Sequence, residues 1–369
     1  MKVLVTGGAG FIGSHLVDRF LRDGFQVRIL DSLDARVHPH GRPHWLPGQA
    51  EFIRGDVTDR PTLLAALQGV DIVSHQAAYQ DYMLDFSRFL HVNAVGTALI
   101  FELIVEHRLP VKKVIVASSQ AVYGEGQYDC PKHGFFQPAS RSRQQLQCGS
   151  WEVRCPQCGA QAVPRRMEEQ HNNPYNQYAV SKLAEEKTAI GLGWLHGIPA
   201  VAMRYSITQG RRQSLHNHYS GICRIFCIRA KQGLPLIVYE DGVQSRDFVH
   251  VDDVVEANML VLQNDAANFH AFNVGSGRST TVLEYAELVL ARLGGAGIHV
   301  TGEYRCGDNR HSVSSIEKLA GLGWQARRML PDILDDFLQW LESAENALPP
   351  APDAYAEMRR AGVVLTAHT

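Results

Sequence analysis

At residues 2–13 the chain reads KVLVTGGAGFIG, and this stretch decides the fold class of the 369-residue protein. Its apolar start predicts a buried strand, and its glycines follow the G-x-G-x-x-G spacing, with Gly7 as an additional glycine at the turn. The early glycines allow a tight turn, Gly10 lets backbone N–H groups approach phosphate oxygens, and Gly13 lets the next helix pack closely on the strand. The stretch therefore predicts a strand, turn and helix that bind a dinucleotide pyrophosphate; the alternative is a purely structural turn.

The acidic residue Asp31 ends the second apolar run, 25–30, and indicates which dinucleotide is bound. A carboxylate at the tip of the second strand accepts hydrogen bonds from the hydroxyls of the adenosine ribose. A 2′-phosphate there would place like charges about 4 Å apart, which costs on the order of a few kcal/mol at a surface-like dielectric. The sequence therefore favours NAD over NADP. The alternative for Asp31 is a solvated loop carboxylate or a helix cap.

Composition and charge exclude several classes of protein. The 36 Lys and Arg residues nearly balance the 38 Asp and Glu residues, so nothing points to nucleic acid or an anionic membrane as a partner. We expect that no apolar stretch approaches a membrane span. Since the first strand begins at Lys2, we also expect a cytoplasmic protein without a signal peptide. Seven cysteines in such a chain indicate thiols or metal ligands rather than a disulfide framework.

Apolar runs alternate with amphipathic helical stretches, a pattern typical of an α/β protein with a Rossmann-like, doubly wound parallel sheet. Further strands are predicted at 51–54, 71–74, 111–117, 200–203 and 271–274, and long helices near 86–107 and 175–196. We expect an NAD-binding domain over 1–205 that is interrupted by a Cys-rich insertion, 126–171, and returns to the sheet near 246–275. The rest of the chain is expected to form a smaller C-terminal substrate-binding lobe, 206–245 and 276–345, and a tail, 346–369. His216 and His218 are expected on a loop, at the surface or in a pocket.

A serine and a Tyr-Lys pair form the candidate catalytic set. Ser118 and Ser119 follow the apolar run 114–117, and open α/β sheets hold their ligands at the carboxyl ends of strands. Tyr178 and Lys182 are four residues apart in a predicted helix and so share one face. An ammonium beside a phenol lowers the phenol pKa from about 10 toward working pH, which would make Tyr178 a general base, with Ser119 holding the substrate hydroxyl.

On these motifs the chain resembles the extended short-chain dehydrogenase/reductase family of sugar-nucleotide epimerases and dehydratases, over residues 1–345. Further matching pieces lie at 55–57, 76–78, 92–97, 245–251, 307–311 and 322–324. The resemblance implies that Asp56 and Val57 hold adenine and that Lys182 bonds the nicotinamide ribose. The full set implied for NAD is Gly7, Gly10, Phe11, Ile12, Gly13, Asp31, Asp56, Val57, Gln76, Ala77, Ala78, Asn93, Tyr178 and Lys182.

The same resemblance implies a dTDP- or UDP-linked nucleotide sugar as substrate. Arg246 and Arg305 would clamp its diphosphate, because the forked guanidinium suits phosphate, and the alternative for each is a surface ion pair with Asp247 or Asp308. Ser119 and Gln120 complete the implied substrate site. Members of the family form homodimers through a four-helix bundle, here implied for the helices near 86–107 and 175–196.

The two residues after the catalytic serine limit which of the family's reactions the resemblance implies. The family's dehydratases have Asp-Glu there, whereas this chain has Gln120 and Ala121, which cannot act as acid or base. The resemblance thus implies an isomerase that epimerises C4 through a transient 4-keto sugar, and NAD ends such a cycle unchanged. The insertion and 241–247 are similar to those of bacterial dTDP-L-rhamnose 4-epimerases. Ile207 stands where the family usually has Asn, so the sugar stays open. The alternatives are a 4-ketoreductase or dehydrogenase, and a non-catalytic dinucleotide-binding protein.

Two short ligand pairs occur in the insertion. Cys130 and His133 form C-x2-H, and Cys155 and Cys158 form C-x2-C, so each pair can form a turn that presents two donors. Together they predict a structural, zinc-ribbon-like Zn²⁺ site that would order a polar loop too short for a core of its own. Cys148 could replace His133, and the alternative to zinc is a reduced, metal-free loop.

Overall fold

A computed structural model of the protein describes residues 1–81, 84–215, 221–343, 354–360 and 362–367. The expected surface or pocket histidines, His216 and His218, lie outside the described residues, as does the first part of the predicted tail, up to residue 353.

The first third of the chain consists of strand–helix units. Val3, Leu4 and Val5 are fully buried, as is typical of a parallel strand covered on both faces. The elements are β1 (Lys2–Thr6), α1 (Phe11–Arg22), β2 (Gln26–Asp31), β3 (Glu51–Arg54), α2 (Arg60–Leu67), β4 (Ile72–His75), α3 (Phe86–Phe89), a π-helical segment (Leu90–Val95), α4 (Gly96–Glu106) and β5 (Lys113–Ser119).

The Cys-rich insertion follows a single 3₁₀ turn, Gln120–Tyr123, after β5. It forms a small antiparallel sheet in which the first strand pairs with both of the others. Its elements are β6 (Gln127–Cys130), β7 (Gly134–Phe136), α5 (Arg143–Gln147) and β8 (Val163–Arg165).

The remaining elements begin with a long helix at the predicted place. The Asn176 side chain accepts a 2.8 Å hydrogen bond from the Ala179 N–H and so caps this helix, which ends at a left-handed Gly197. The elements are α6 (Gln177–His196), β9 (Ala200–Tyr205), β10 (Ile207–Gln209), α7 (Ile222–Lys231), β11 (Leu236–Val238), β12 (Ser245–Arg246), β13 (Phe248–His250), α8 (Val251–Gln263), a 3₁₀ turn (Asp265–Ala267), β14 (His270–Val274), β15 (Thr280–Thr281), α9 (Val282–Leu293), β16 (Ile298–Val300), β17 (Glu303–Arg305), β18 (His311–Ser312), α10 (Glu317–Ala320), α11 (Leu330–Leu341), α12 (Ala354–Arg360) and β19 (Val364–Thr366).

A seven-stranded parallel sheet confirms the predicted Rossmann-like fold. Its order is β14-β9-β5-β4-β1-β2-β3. The five further strands predicted from apolar runs correspond to β3, β4, β5, β9 and β14, each displaced by two residues or fewer at its start. The direction of the strand order reverses between β1 and β4, and open α/β sheets bind ligands at the carboxyl edge beside such a reversal.

Apolar clusters cover both faces of the sheet, and a further one lies apart from it. Leu99, Ile100 and Phe101 of α4 pack on one face, and helices α1 and α8 cover the other. The separate cluster joins α7, α9 and α11 through side chains such as Phe226 and Phe337. This cluster lies in the region expected to form the smaller lobe, whose boundaries stay a prediction.

Residues 86–106 form one continuous helical run made of α3, the π-helical segment and α4. Its mean hydropathy reaches 1.5, and it is the one helix among the described residues that is long and apolar enough to cross a membrane. The expectation that no stretch approaches a membrane span is therefore wrong by length and composition. The run packs in the sheet core through residues such as Ile100 and Leu103, as core helices of water-soluble folds do, so it is weak evidence of a membrane.

Candidate active site

The glycine-rich turn after β1 forms a close-fitting cradle at the carboxyl edge of the sheet. The Gly7 N–H donates to the Leu30 carbonyl at 2.8 Å, and the Gly10 N–H donates back to the Gly7 carbonyl at 3.0 Å. A Cβ on Gly13 would lie 2.1 Å from the Gly7 carbonyl oxygen, and one on Gly7 would lie 2.7 Å from the Ala77 nitrogen. Only glycine fits at both places, so the turn leaves its backbone open to a phosphate group at the start of α1.

Asp31 lies at the end of β2, as predicted, and braces this turn. Its two carboxylate oxygens accept 2.9 Å hydrogen bonds from the N–H groups of Ala9 and Leu33. The nearby cation Arg36 forms ion pairs with Asp34 and Asp81, and these two carboxylates compensate its charge. Arg36 therefore does not offset the charge of Asp31, and the preference of Asp31 for a ribose hydroxyl over a 2′-phosphate stays a prediction.

A cleft of about 1930 Å³ runs from the glycine turn past the ends of β5 and α6 to β12 and β17. Ligand pockets typically hold about 300–1,000 Å³, so this one is large enough for a dinucleotide and a second ligand. The residues predicted to bind substrate all line it, namely Ser119, Gln120, Arg246 and Arg305. So do most of those predicted for the cofactor, namely Gly7, Gly10, Phe11, Ile12, Gly13, Gln76, Ala78, Tyr178 and Lys182.

The other residues predicted for the cofactor are not among those that line the cleft, namely Asp31, Asp56, Val57, Ala77 and Asn93. Asn93 is fully buried in the π-helical segment, where its side chain donates to the Tyr79 carbonyl and to the Ser181 hydroxyl. Asp56 accepts hydrogen bonds from the backbone N–H and the hydroxyl of Thr58. In the described structure these two side chains therefore bind other groups of the protein, and their roles toward a cofactor stay predictions.

The candidate catalytic set comes together where β5 meets α6. Ser119 is the last residue of β5 and hydrogen-bonds Tyr178, which lies in the first turn of α6. The Lys182 ammonium is buried one turn further on, where it donates to the Ala117 carbonyl and to the Glu185 carboxylate, both at 2.7 Å. The meeting of β5 and α6 therefore places the serine and the tyrosine in hydrogen-bond contact. The predicted helix spacing places the ammonium close enough to act on the phenol.

Burial outweighs the neighbouring ammonium at Tyr178. Burial raises the pKa of Tyr178 above its usual range, while the charge of Lys182 and the hydrogen bond with Ser119 lower it. The expected net fall of this pKa toward working pH is therefore wrong for the protein by itself. One reason is Glu185, which compensates the ammonium and whose own pKa is raised by burial. Sequence reasoning missed Glu185, although its position three residues after Lys182 places it on the same helix face.

A second buried ion pair fixes the end of β5 to β9. Glu186 accepts hydrogen bonds from the Ser118 hydroxyl at 2.9 Å and from two guanidinium nitrogens of Arg204 at 2.6 and 2.8 Å. Arg204 also donates to the Tyr123 hydroxyl at 2.9 Å. The strand end that carries Ser119 is thus held by buried, charge-assisted hydrogen bonds.

The two arginines predicted to clamp a diphosphate have different surroundings. Arg246 donates to the carbonyls of Ser245 and Arg310 at 2.9 and 3.1 Å, and no carboxylate of the described residues lies within ion-pair distance of it. Burial lowers its pKa, because the charged form is poorly solvated there. Arg305 instead binds Asp308 at 2.5 and 2.8 Å, so the predicted alternative of an ion pair holds for Arg305 and not for Arg246.

The C-terminal segment returns to the cleft, which the sequence did not indicate. Strand β19 pairs antiparallel with β17, the strand that carries Arg305. The Tyr355 hydroxyl donates to Glu303 at 2.5 Å, and its ring stacks on Tyr239 with the centroids 6.4 Å apart. Tyr355 and Tyr239 both line the cleft, so this segment forms part of its wall near β17.

This fold and cleft define a class: an α/β protein with a dinucleotide-type glycine turn and a Ser-Tyr-Lys set of the short-chain dehydrogenase/reductase kind. Within it, the chain belongs to the NAD dependent epimerase/dehydratase family, whose sequence pattern matches residues 3–275. The resemblance read from the motifs is thereby confirmed.

Individual relatives are nucleotide-sugar enzymes. The chain is 33% identical over 347 residues to a dTDP-L-rhamnose 4-epimerase of Burkholderia thailandensis, covering 92% of this chain and 94% of the relative. It is 28% identical to a putative UDP-glucose 4-epimerase of Methanocaldococcus jannaschii, covering 92% and 98%. Among solved structures, the Thermus thermophilus UDP-glucose 4-epimerase in complex with NAD superposes with a TM-score of 0.74 at 29% identity, over 93% of this chain and all of that one.

Proposed function

We propose that the protein is an NAD-dependent nucleotide-sugar 4-epimerase, similar to the dTDP-L-rhamnose 4-epimerases, that acts on a dTDP- or UDP-linked hexose. The observation that carries the proposal is the position of Ser119, Tyr178 and Lys182 at the wall of a cleft that begins at the glycine cradle. The family and the relatives with 4-epimerase names support the same reaction.

The glycine turn is the residue set that fits NAD best. A side chain at Gly7 or Gly13 would collide with backbone atoms, so the open backbone between them would bind the pyrophosphate. When bound, NAD supplies the acceptor of the C4 hydride and the source of its return. Lys182 would hold the nicotinamide ribose, and Asp31, with free lone pairs on both oxygens, would take the adenosine ribose.

Tyr178 would remove the proton of the sugar 4-hydroxyl while Ser119 hydrogen-bonds the same oxygen. The phenolate form has to be reached against burial, so the charge of Lys182 and the Ser119 hydroxyl are the groups that make it accessible. The proton on Tyr178 would return to the oxygen once the keto sugar has presented its other face. Gln120 and Ala121 follow Ser119, and since neither exchanges protons, no residue there removes water from C5 and C6.

Arg246 would bind the diphosphate. It is a partly buried guanidinium at the cleft wall that donates only to carbonyl oxygens within the described structure, and two phosphate groups would compensate its charge. Arg246 and Arg305 line the same cleft, and the charge of Arg305 acts on Arg246, so both would face one diphosphate. The apolar cluster of α7, α9 and α11 supports the region that we assign to the substrate lobe.

The test is a product assay with purified protein. We expect dTDP- or UDP-hexoses to be converted to their C4 epimers, seen by NMR, without a stoichiometric need for added NAD(H). The Tyr178→Phe variant should lose at least about 100-fold in kcat, as expected on removal of a general base. Tyr128→Phe is the matched control, because Tyr128 is buried in the insertion outside the cleft. Accumulation of NADH or a 4-keto product without any epimer would reject the proposal in favour of a ketoreductase or dehydrogenase.

We also propose that the protein is a homodimer. Helices α4 and α6 expose large apolar side chains, among them Val105, Trp194 and Leu195, of which Trp194 is 72% exposed. Burying such side chains against a second copy removes apolar surface from water. Light scattering should give twice the chain mass, and Trp194→Asp should shift the protein toward the monomer; a wild-type monomer at micromolar concentration would contradict the proposal.

A further inference from the structure

Two turns of the insertion share one sequence pattern and one backbone shape. Residues 130–134 read CPKHG and residues 155–159 read CPQCG. Each turn ends in a glycine with a positive φ, 73° at Gly134 and 71° at Gly159, a conformation that side chains disfavour. In the first turn the Lys132 N–H points at the Cys130 sulfur at 3.4 Å. The chain therefore builds the same two-ligand turn twice.

The four donor atoms of these turns meet in one cluster. Cys130 Sγ, His133 Nδ1, Cys155 Sγ and Cys158 Sγ all lie within 4.8 Å of one another. The sulfur–sulfur distance between Cys130 and Cys158 is 3.7 Å, and the His133 nitrogen lies 3.6 and 3.4 Å from the sulfurs of Cys130 and Cys155. Around a tetrahedral Zn²⁺, Zn–S is about 2.3 Å and Zn–N about 2.0 Å. In that geometry two sulfurs would lie about 3.8 Å apart, and a sulfur and a nitrogen about 3.5 Å apart.

Cys148 does not belong to this cluster. It follows α5, is exposed to solvent, and is not among the donor atoms that lie together. The alternative in which Cys148 replaces His133 is therefore not the arrangement of the described structure.

We propose that Cys130, His133, Cys155 and Cys158 bind one Zn²⁺ in a tetrahedral Cys₃His site. Thiolates and imidazole in tetrahedral geometry are the ligand set that zinc prefers. Four protein ligands leave no open position for water or substrate, so the site is structural rather than catalytic. None of the four residues lines the cleft.

The insertion needs such a crosslink because its own core is small. The apolar cluster within its sheet consists of Tyr128, Val153 and Ala162, with Phe136 packed against it. The metal would join the turn between β6 and β7 to the turn after Val153, two segments that are otherwise linked by this small cluster and by the pairing of β6 with β8. Metal binding of this kind supplies folding free energy to polar segments that lack a core.

The zinc site also bears on the cleft, through a set of charged residues that we call the arginine–carboxylate cluster: Arg141, Arg310, Glu125, Glu152 and Glu240. Arg141 and Glu152 belong to the insertion. Arg141 donates to Glu240 at 3.0 Å, and Glu152 accepts from Arg310 at 2.6 Å. The Arg310 carbonyl in turn accepts the 3.1 Å hydrogen bond from Arg246. Loss of the metal would thus loosen the support of Arg246, and this part rests on the proposed function.

Metal analysis tests the site without any assay of activity. We expect the purified full-length protein to contain about one zinc ion per chain by mass spectrometry of the elements. His133→Cys should keep the metal, since Cys₄ is also a zinc site, whereas Cys155→Ser should lose it. Cys148→Ser is the matched control and should keep it. Cobalt-substituted protein should show the intense visible bands of tetrahedral Co²⁺ bound to thiolate.

The outcomes separate the two proposals. The zinc site would be overturned if protein from cells grown with added zinc held less than about 0.1 zinc per chain, or held iron in its place. Equal metal loss from the Cys148→Ser and Cys155→Ser variants would also overturn it. If Cys155→Ser does not fold, release of zinc from the wild-type protein by a mercurial reagent, measured with a colorimetric chelator, gives the same answer. Zinc-loaded protein without epimerase activity would refute the proposed function and leave the metal site standing. Metal removal that raises KM for nucleotide sugar and leaves the NAD Kd unchanged would support the link to Arg246; an unchanged KM would refute that link.

Discussion

Substitution of Gly13 by alanine is expected to disrupt the glycine cradle. The added methyl would lie 2.1 Å from the Gly7 carbonyl oxygen, whereas real Cβ atoms essentially never come closer than 3.0 Å. The turn or the start of α1 therefore has to move by at least about 0.9 Å, the difference between these two distances. The same carbonyl accepts the Gly10 N–H, so the shift also opens the turn. Losing one hydrogen bond from the turn's backbone to the charged pyrophosphate costs about 1.5–3 kcal/mol, so we expect the NAD Kd to rise about 10- to 100-fold.

Two further glycines make this prediction quantitative. A Cβ on Gly10 would lie 3.2 Å from the same carbonyl, a contact that a small shift relieves, so Gly10→Ala should weaken NAD binding less than Gly13→Ala. Gly191 is exposed within α6, and a Cβ there meets nothing within 4 Å. Gly191→Ala should bind NAD like the wild type and gain about 0.5–1 kcal/mol of stability, because alanine is the better helix residue. Calorimetric titration of stripped protein with NAD measures the series. An NAD Kd for Gly13→Ala within about threefold of the wild-type value would refute the argument from contact distances.

Three other substitutions test the charges around the cleft. Arg246→Ala should raise KM for the nucleotide sugar about 10- to 100-fold and leave the NAD Kd unchanged, because a charge-assisted hydrogen bond contributes about 1.5–3 kcal/mol; equal losses in both constants would contradict a role limited to the diphosphate. Hydrogen bonding with His311 lowers the pKa of Glu152 to about 2, below its unfolded value, so this carboxylate stabilises the fold above about pH 4.5 and loses that effect as pH falls toward 2. Melting curves should therefore show Glu152→Gln less stable at pH 7, with the difference shrinking in acid. Glu185→Gln should lower the pKa of Tyr178 and move the acid limb of the kcat profile to lower pH; an unmoved limb would show that Glu185 does not act on the phenol.

The parts of the fold that the sequence predicts are those specified by local patterns. The glycine spacing between Gly7 and Gly13 and the apolar runs of the parallel strands depend on neighbours in the chain, so strand positions could be predicted to within two residues. The pairing of Tyr178 with Lys182 follows from helix periodicity. The two C-x2-C/H turns are equally local, and the structure brings their four donors together.

Tertiary contacts decide what the sequence could not predict. Arg246 and Arg305 look alike as residues, yet only Arg305 has a carboxylate partner, and that depends on how the loop that carries Asp308 folds back. Asn93 shows the same limit, because its amide turns inward to Ser181, which is distant in the chain. The return of Tyr355 to the cleft follows a segment whose composition indicated only a linker. For Asn93 and Tyr355 the partner is distant in the chain, which single-sequence patterns do not encode. The Arg305–Asp308 pair is local, but the sequence could not decide between it and a free guanidinium.

The electrostatics of α6 show why a Tyr-x-x-x-Lys spacing is a weak signal when taken alone. Lys182 is followed by two buried carboxylates, and each has a cation of its own: Glu185 binds Lys182 and Glu186 binds Arg204. Since the ammonium is compensated, the helix end near Tyr178 carries less net positive charge than the spacing suggests, and burial then keeps the phenol protonated. A usable base therefore requires more than a lysine one turn away. It requires more positive charge near the phenol than Glu185 cancels. On the proposed function, bound NAD would add that charge through its cationic nicotinamide ring.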